Sequence, residues 1–222
     1  MWRDAVLVGG KDLRIEARSR VATNQVAPFA LLVLVLFAFA LDPNRGELRQ
    51  AAAGLYWVAV LFSSVLAVQR SSAIEAGDGT RDQLRMSGLD PAGVFLGKAA
   101  AVGAQLLALE LLLGAGVVVL YDVHLSSLWL VVASCLLATV GLAAAGTLYA
   151  TLSAGIKVRE TLLPLLLLPV AAPVLLSATE AWQAALSGHP GDGTEWLQIL
   201  AVFAVIYVAF GVLGYGPVLE DA

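Results

Sequence analysis

Six long apolar runs, separated by short polar breaks, constrain this chain more than any other feature. They lie near residues 25–41, 51–68, 94–121, 128–152, 162–178 and 196–216. A helix crosses the roughly 30 Å hydrocarbon core of a bilayer with about 20 apolar residues. Several runs reach this length alone; the first and fifth gain it from their flanks. Lipid offers no partners for backbone N–H and C=O groups, so a spanning segment must satisfy its own. The runs therefore read as helices. Only 14% of the 222 residues are charged, against roughly 25% in soluble domains. The expected fold is all-α: a polytopic membrane protein of six transmembrane helices, forming one transmembrane domain over 1–222. Little chain is left for a soluble catalytic module. Cys135 is the single cysteine, so no disulfide or cysteine zinc framework is expected. The net charge of −4 argues against a nucleic-acid partner.

Charge gives an expected orientation. Lys and Arg in short loops favour the cytoplasmic side. Arg3, Lys11, Arg14, Arg18 and Arg20 precede the first run; Arg70, Arg81, Arg85 and Lys98 surround the loop after the second; Lys157 and Arg159 follow the fourth. These eleven face only Arg45 and Arg49 on the other side. Both termini are expected in the cytoplasm, with the chain multi-pass in the inner (plasma) membrane. Ala38-Phe39-Ala40 superficially matches a signal cleavage site, but about two dozen polar-rich residues precede the run, including Asp4, Asp12 and Glu16. An uncleaved anchor is the expectation.

Within residues 1–22, Trp2, Val6, Gly9, Leu13 and Ala17 share one helical face; Arg3, Lys11, Arg14 and Arg18 share another. That pattern predicts an amphipathic helix lying in the interface among membrane lipids, with Trp2, Arg14 and Arg18 at headgroup depth. The alternative is a charged leader that only sets orientation. Asp42-Pro43-Asn44 reads as a turn, Gly188 to Gly193 as a loop, and 179–187 as a short surface helix anchored by Trp182.

The segment 70–93 is the longest loop on the basic side. Asp78-Gly79 marks a turn, and Thr80 to Met86 suits one or two helical turns with Leu84 as the apolar knob. Gly88 and Asp90-Pro91 then launch the third run. A short mixed-charge helix with one apolar residue suits docking into a partner's groove. From spacing alone, docking element and solvated connector both stand.

Glu110 sits near the middle of the third run, with Gln105 in the same segment. A charge at bilayer centre costs about 2.5–3.5 kcal/mol on insertion scales. Three readings stand: a paired structural carboxylate, a group on a translocation or coupling path, and a protonated acid shielded from lipid. Pro164, Pro169 and Pro173 in the fifth run each remove a donor and clash with the preceding turn. A kinked or broken helix is expected, either static or acting as a hinge. Gly141, Ala145 and Gly146 allow close helix packing. His124 and His189 read as residues of the outer loops; ligation of haem iron is the minor alternative. Neither a catalytic residue nor a metal site is expected.

Several stretches resemble one family. Arg70, Glu75, Asp78-Gly79-Thr80, Leu84, Ser87-Gly88-Leu89 and Lys98 resemble the acidic turn and "LLxSPL" loop of the haem exporter B subunit of cytochrome c maturation. Lys11 to Arg20 resembles that family's "RDLRLELR" segment. Gly146-Thr147-Leu148, Lys157-Val158-Arg159 and Leu162-Leu163-Pro164 through Pro169 and Pro173 resemble its fourth-to-fifth span region. The chain departs from the pattern in Gly88, where Pro is usual, and in an acidic Glu220-Asp221 end. That family supplies the membrane subunit of an ATP-binding-cassette (ABC) complex. The resemblance implies a cytoplasmic ABC ATPase, a haem-handling membrane subunit and a haem chaperone as partners, with two copies of this chain per complex. It implies no covalently bound cofactor, haem as the delivered ligand, and ATP used only by the partner. Glu75, Asp78, Gly79, Leu84, Arg85 and Leu89 are the expected ATPase contacts. The chain lacks the G-x-x-x-x-G-K-[ST] loop that holds phosphates. The alternatives are an exporter permease of the same fold for a drug, lipid or polysaccharide, and an intramembrane enzyme built on Glu110.

Overall fold

The structure is a computed structural model that describes residues 1–19, 25–41, 45–77, 88–153 and 159–221. Seven helices follow one another, with no strand among the described residues: α1 (Trp2–Ser19), α2 (Ala27–Leu41), α3 (Arg45–Gly77), α4 (Pro91–Tyr121), α5 (Leu128–Leu152), α6 (Arg159–Ser187) and α7 (Pro190–Asp221). The last five are long and apolar enough to cross a membrane. With α2 they make a multi-pass membrane protein. The 15 residues of α2 cover only about 22 Å at 1.5 Å per residue, so this span is the short one.

The centre of the bundle is α5, which packs against α4, α6 and α7. Its run from Gly141 to Gly146 is buried throughout. A Cβ on Gly146 would lie 2.5 Å from Val68 Cγ2, and one on Gly141 would lie 3.3 Å from Val174 Cγ2. Lipid supplies no hydrophobic drive between helices, so such close approach is how they gain dispersion contacts. The same logic holds α7 to α4: Gly211 lies under the Phe95 ring, where a Cβ would overlap it at 1.9 Å. Tyr121 at the end of α4 donates to the Leu34 carbonyl at 3.1 Å and ties in α2.

Three sequence expectations change. Residues 179–187 are the last turns of α6, continuous with the span. Trp182 is 2% exposed and stacks on Tyr56 at 3.9 Å, so it is a core residue rather than a surface anchor. The expected loop over 188–193 shrinks to Gly188 and His189, because Pro190 opens α7; proline suits a first helical position, where its missing donor is not needed. Finally, of the kinked or broken helix expected at Pro164, Pro169 and Pro173, the break is absent: α6 is continuous through all three. Neighbouring groups supply contacts along that stretch: Tyr207 donates to the Val170 carbonyl at 2.7 Å, and Ser177 to the Pro173 carbonyl at 2.8 Å. The Asp42-Pro43-Asn44 turn lies outside the described residues.

Candidate functional site

Two places concentrate polar groups. The first is the end of the bundle where α1, α3 and α4 meet. Asp90 caps α4: its Oδ1 accepts from the Ala92 N–H at 3.2 Å, and Pro91 occupies the first turn. Gly88 precedes it with φ +65°, a conformation that favours glycine. The usual proline of the resembled loop has φ near −65° and could not adopt it. Asp4 on α1 reaches across to accept the Asp90 backbone N–H at 3.3 Å. The Met1 ammonium lies 3.3 Å from both Asp4 and Asp90 carboxylates. The Asp90 N–H, then the Met1 ammonium, hold the Asp4 carboxyl below its usual range. The Asp4 carboxylate in turn raises the Met1 amine.

Backbone packing closes the junction. A Cβ on Gly93 would lie 2.6 Å from the Met1 carbonyl oxygen; one on Gly97 would lie 2.5 Å from that of Ala5. Gly9 lies in the same way against Gly97 at 3.0 Å. Only glycine lets the two helices approach so closely. Buried Val8 packs with Val94, Phe95 and Tyr215, and Leu89 joins the edge of that cluster. Lys98, 3% exposed, lies in the field of Asp12 on α1. At the far end Glu16 meets Arg70 of α3 at 3.6 Å. Thus α1 bridges both helices that flank the 78–87 segment.

The docked side of α1 is therefore Asp4, Ala5, Val8, Gly9 and Asp12; of these only Gly9 belongs to the apolar face read from the sequence. Trp2, Val6 and Leu13 remain exposed beside it, as do Arg14 and Arg18. Of the expected ATPase contacts, Leu89 is half-buried in the junction. Glu75 belongs to the last turns of α3, its side chain outside the described residues, as are Asp78, Gly79, Leu84 and Arg85. The signal that could have found the junction is the i, i+4 pair Gly93 and Gly97 facing Gly9.

The second place lies within the membrane. Glu110 is 3% exposed, and Thr139 of α5 donates to its Oε1 at 2.7 Å. Tyr56 of α3 donates to the Glu110 carbonyl oxygen at 3.3 Å, and its hydroxyl lies 3.4 Å from Cys135 Sγ. Trp57 meets both Tyr56 and Trp182 edge-on, completing an aromatic cluster. Glu110 is thus buried and hydrogen-bonded by a side chain of a neighbouring helix. Its partners come from other helices, so its own span gave no hint of them. On the opposite side from the junction, His124 lines a cavity of about 360 Å³ with Arg49, Asp122 and Gln183, where Arg49 pairs with Asp122. The His189 ring rests 3.1 Å from the Ser187 carbonyl oxygen, at the end of α6. Among the described residues, no group of three or more metal-ligating side chains gathers.

With this arrangement in view, residues 4–219 match the family model described as CcmB protein. The chain belongs to the CcmB family. It is 34% identical over 202 residues to heme exporter protein B of Paracoccus denitrificans, covering 90% of each chain. It is 32% identical over 194 residues to heme exporter protein B of Escherichia coli, covering 85% of each. The corresponding protein of Pseudomonas aeruginosa is 31% identical over 192 residues, with 83% of each chain covered. The match to the CcmB model takes in both the α1–α4 junction and Glu110.

Proposed function

We propose that this CcmB-family chain is the membrane subunit of an ABC-type complex that delivers haem for c-type cytochrome assembly. The observation that carries the reading is the family match across residues 4–219. ATP is hydrolysed by a partner subunit, since this sequence has no phosphate-binding loop of its own. The basic side of the chain, with both termini, faces the cytoplasm of a cell bounded by the inner membrane. The ATPase docks on 70–93 through Glu75, Asp78, Gly79, Leu84, Arg85 and Leu89, and two copies of the chain serve each complex. A haem-handling membrane subunit and a haem chaperone complete the assembly, with haem as delivered ligand.

The geometry supports a mechanical role. Force applied to 78–87 enters the bundle through Gly77 and Gly88. Both flanks are tied to α1, by Glu16–Arg70 on one side and by Asp4–Asp90 and the glycine contacts on the other. The load therefore reaches α4 along its axis and, through Phe95 and Tyr215, α7. The proline-rich α6 is the hinge along which the bundle yields. The test is haem staining of c-type cytochromes in a strain lacking the chain, complemented with intact chain alone or together with an ATPase-dead partner. Staining should vanish in the deletion, return with intact chain, and fail with the dead partner, while b-type cytochromes persist. Normal staining in the deletion rejects haem delivery; rescue with the dead partner rejects the mechanical coupling.

A further inference from the structure

Helix α1 runs along the bundle at the level where two spans end. It meets Gly93 and Gly97 in the first two turns of α4, and it meets Arg70, where the apolar stretch of α3 stops. Its 18 residues reach about 27 Å at 1.5 Å each. A helix tied at both points to the same end of the bundle lies along the membrane surface, not across it.

Turning about 100° per residue, α1 presents three sectors in order. Asp4, Val8 and Asp12 centre the docked one. Trp2, Val6 and Leu13 follow, with Trp2 74% and Val6 73% exposed. Arg3, Arg14 and Arg18 come next, exposed, with Leu7 among them. The acids of α1 are engaged elsewhere: Asp4 with the Met1 ammonium and the Asp90 N–H, Asp12 with Lys11, Glu16 with Arg70. Among the described residues, no acid lies within ion-pair distance of Arg14 or Arg18. These two stand one turn apart, and like charges at that spacing repel unless an anion lies between them.

We propose that α1 binds anionic phospholipid of the leaflet it lies on, with Trp2, Val6 and Leu13 against the acyl chains and Arg14 and Arg18 on the phosphate. One lipid molecule carries an apolar and an anionic part side by side, as α1 carries their complements. An acidic protein surface answers the arginines but leaves the apolar sector in water. Guanidinium groups match phosphate oxygens in fork geometry, and a basic amphipathic helix gains from both apolar burial and anionic charge. Lipid held this way steadies α1 on the sides that α4 does not reach.

The experiment uses the full chain in its assembled complex, with Cys135→Ala and with Gly10→Cys carrying a bimane fluorophore. A Cβ on Gly10 meets nothing within 4 Å, and the position lies between the apolar and basic sectors. Two reconstitutions share one lipid mixture, phosphatidylcholine with a minor share of phosphatidylglycerol. Brominated chains, which quench bimane on contact, sit on the phosphatidylglycerol in one and on an equal number of phosphatidylcholine molecules in the other. Quenching should show local enrichment of phosphatidylglycerol by roughly five-fold or more, the preference that one basic side chain at an anionic surface supplies. Arg14→Gln with Arg18→Gln should bring the two lipids to equality, whereas Arg14→Lys with Arg18→Lys should keep the preference. Neither readout depends on haem delivery. Equal quenching with both arginines present overturns the proposal, as does an undiminished preference in the glutamine variant. Quenching by neither lipid means that protein covers this face, and overturns it too.

Discussion

The two polar regions of this membrane protein are built on opposite plans. At the α1–α4 junction the backbones touch: Gly9, Gly93 and Gly97 leave no room for a Cβ, and Asp4, Asp90 and the Met1 ammonium close the end. Around Glu110 the contacts run through side chains: Thr139 of α5 donates to the carboxyl, Tyr56 of α3 donates to the backbone carbonyl, and Trp182 of α6 stacks on Tyr56. The first plan transmits displacement, because packed backbone has no slack to absorb it. The second, made of side-chain contacts beside a cleft of about 470 Å³, has room in which to yield. The proposed coupling to a partner ATPase uses both: a stiff input and a compliant interior.

The comparison breaks most decisively at Gly97. Gly97→Leu should drive a side chain into the Ala5 carbonyl and Val8 and lift α1 from α4. Overpacking of this kind costs about 1–3 kcal/mol. The chain should still insert, because its spans are intact, yet haem staining of c-type cytochromes should be lost. Normal staining at normal chain abundance would show that the junction transmits nothing.

Thr139→Val should have a smaller effect, confined to the compliant region. It strips Glu110 Oε1 of its donor and should cost about 1–3 kcal/mol, the penalty for a buried unsatisfied group. Glu110→Leu combined with Thr139→Val should recover most of that loss, since neither partner then remains unpaired. A thermal-unfolding double-mutant cycle on the purified complex reads the coupling; strictly additive losses would mean that the two side chains do not act as a pair.

How much of this was legible in the sequence divides along the same line. Hydropathy located every span, because lipid solvation acts on each residue locally. It missed the full lengths of α3 and α6, whose polar flanks continue as helix beyond the hydrocarbon core. Trp182 was misplaced because tryptophan so often marks the interface; its stacking on Tyr56 depends on a helix far away in the chain. The strongest stripe on α1 is the one left mostly exposed, while the docked stripe mixes acids and small residues with Val8, so hydropathy does not single it out. Glu110 stood out as costly, but Thr139 is an ordinary span residue until folding places them 2.7 Å apart.

The smallest expected effect is on pH. Folding lowers the Asp4 carboxyl from 3.8, so its contribution is complete above that value and lost as pH falls through the lowered one. Folding raises the Met1 amine from 8.0, so its contribution is complete below that value and lost as pH rises through the raised one. Hydrogen-exchange protection of α1 amides should therefore be flat between these limits and decline on both sides. Solvent screens these exposed groups, so the decline should be slight. Protection that rises outside the window would contradict the assigned ion pairs.

The central claim is that α1 and the start of α4 stay together as one body while the segment between α3 and α4 is driven. Spin labels at Val6→Cys on α1 and Ala100→Cys on α4, both at exposed positions, in a Cys135→Ala background, test it directly. The pair distance is measured by pulsed electron resonance on the assembled complex, nucleotide-free and trapped with ATP. The account predicts one narrow distance that is the same in both states. A second population or a shifted mean in the ATP-trapped state would show that α1 leaves α4 during the cycle, and would contradict it.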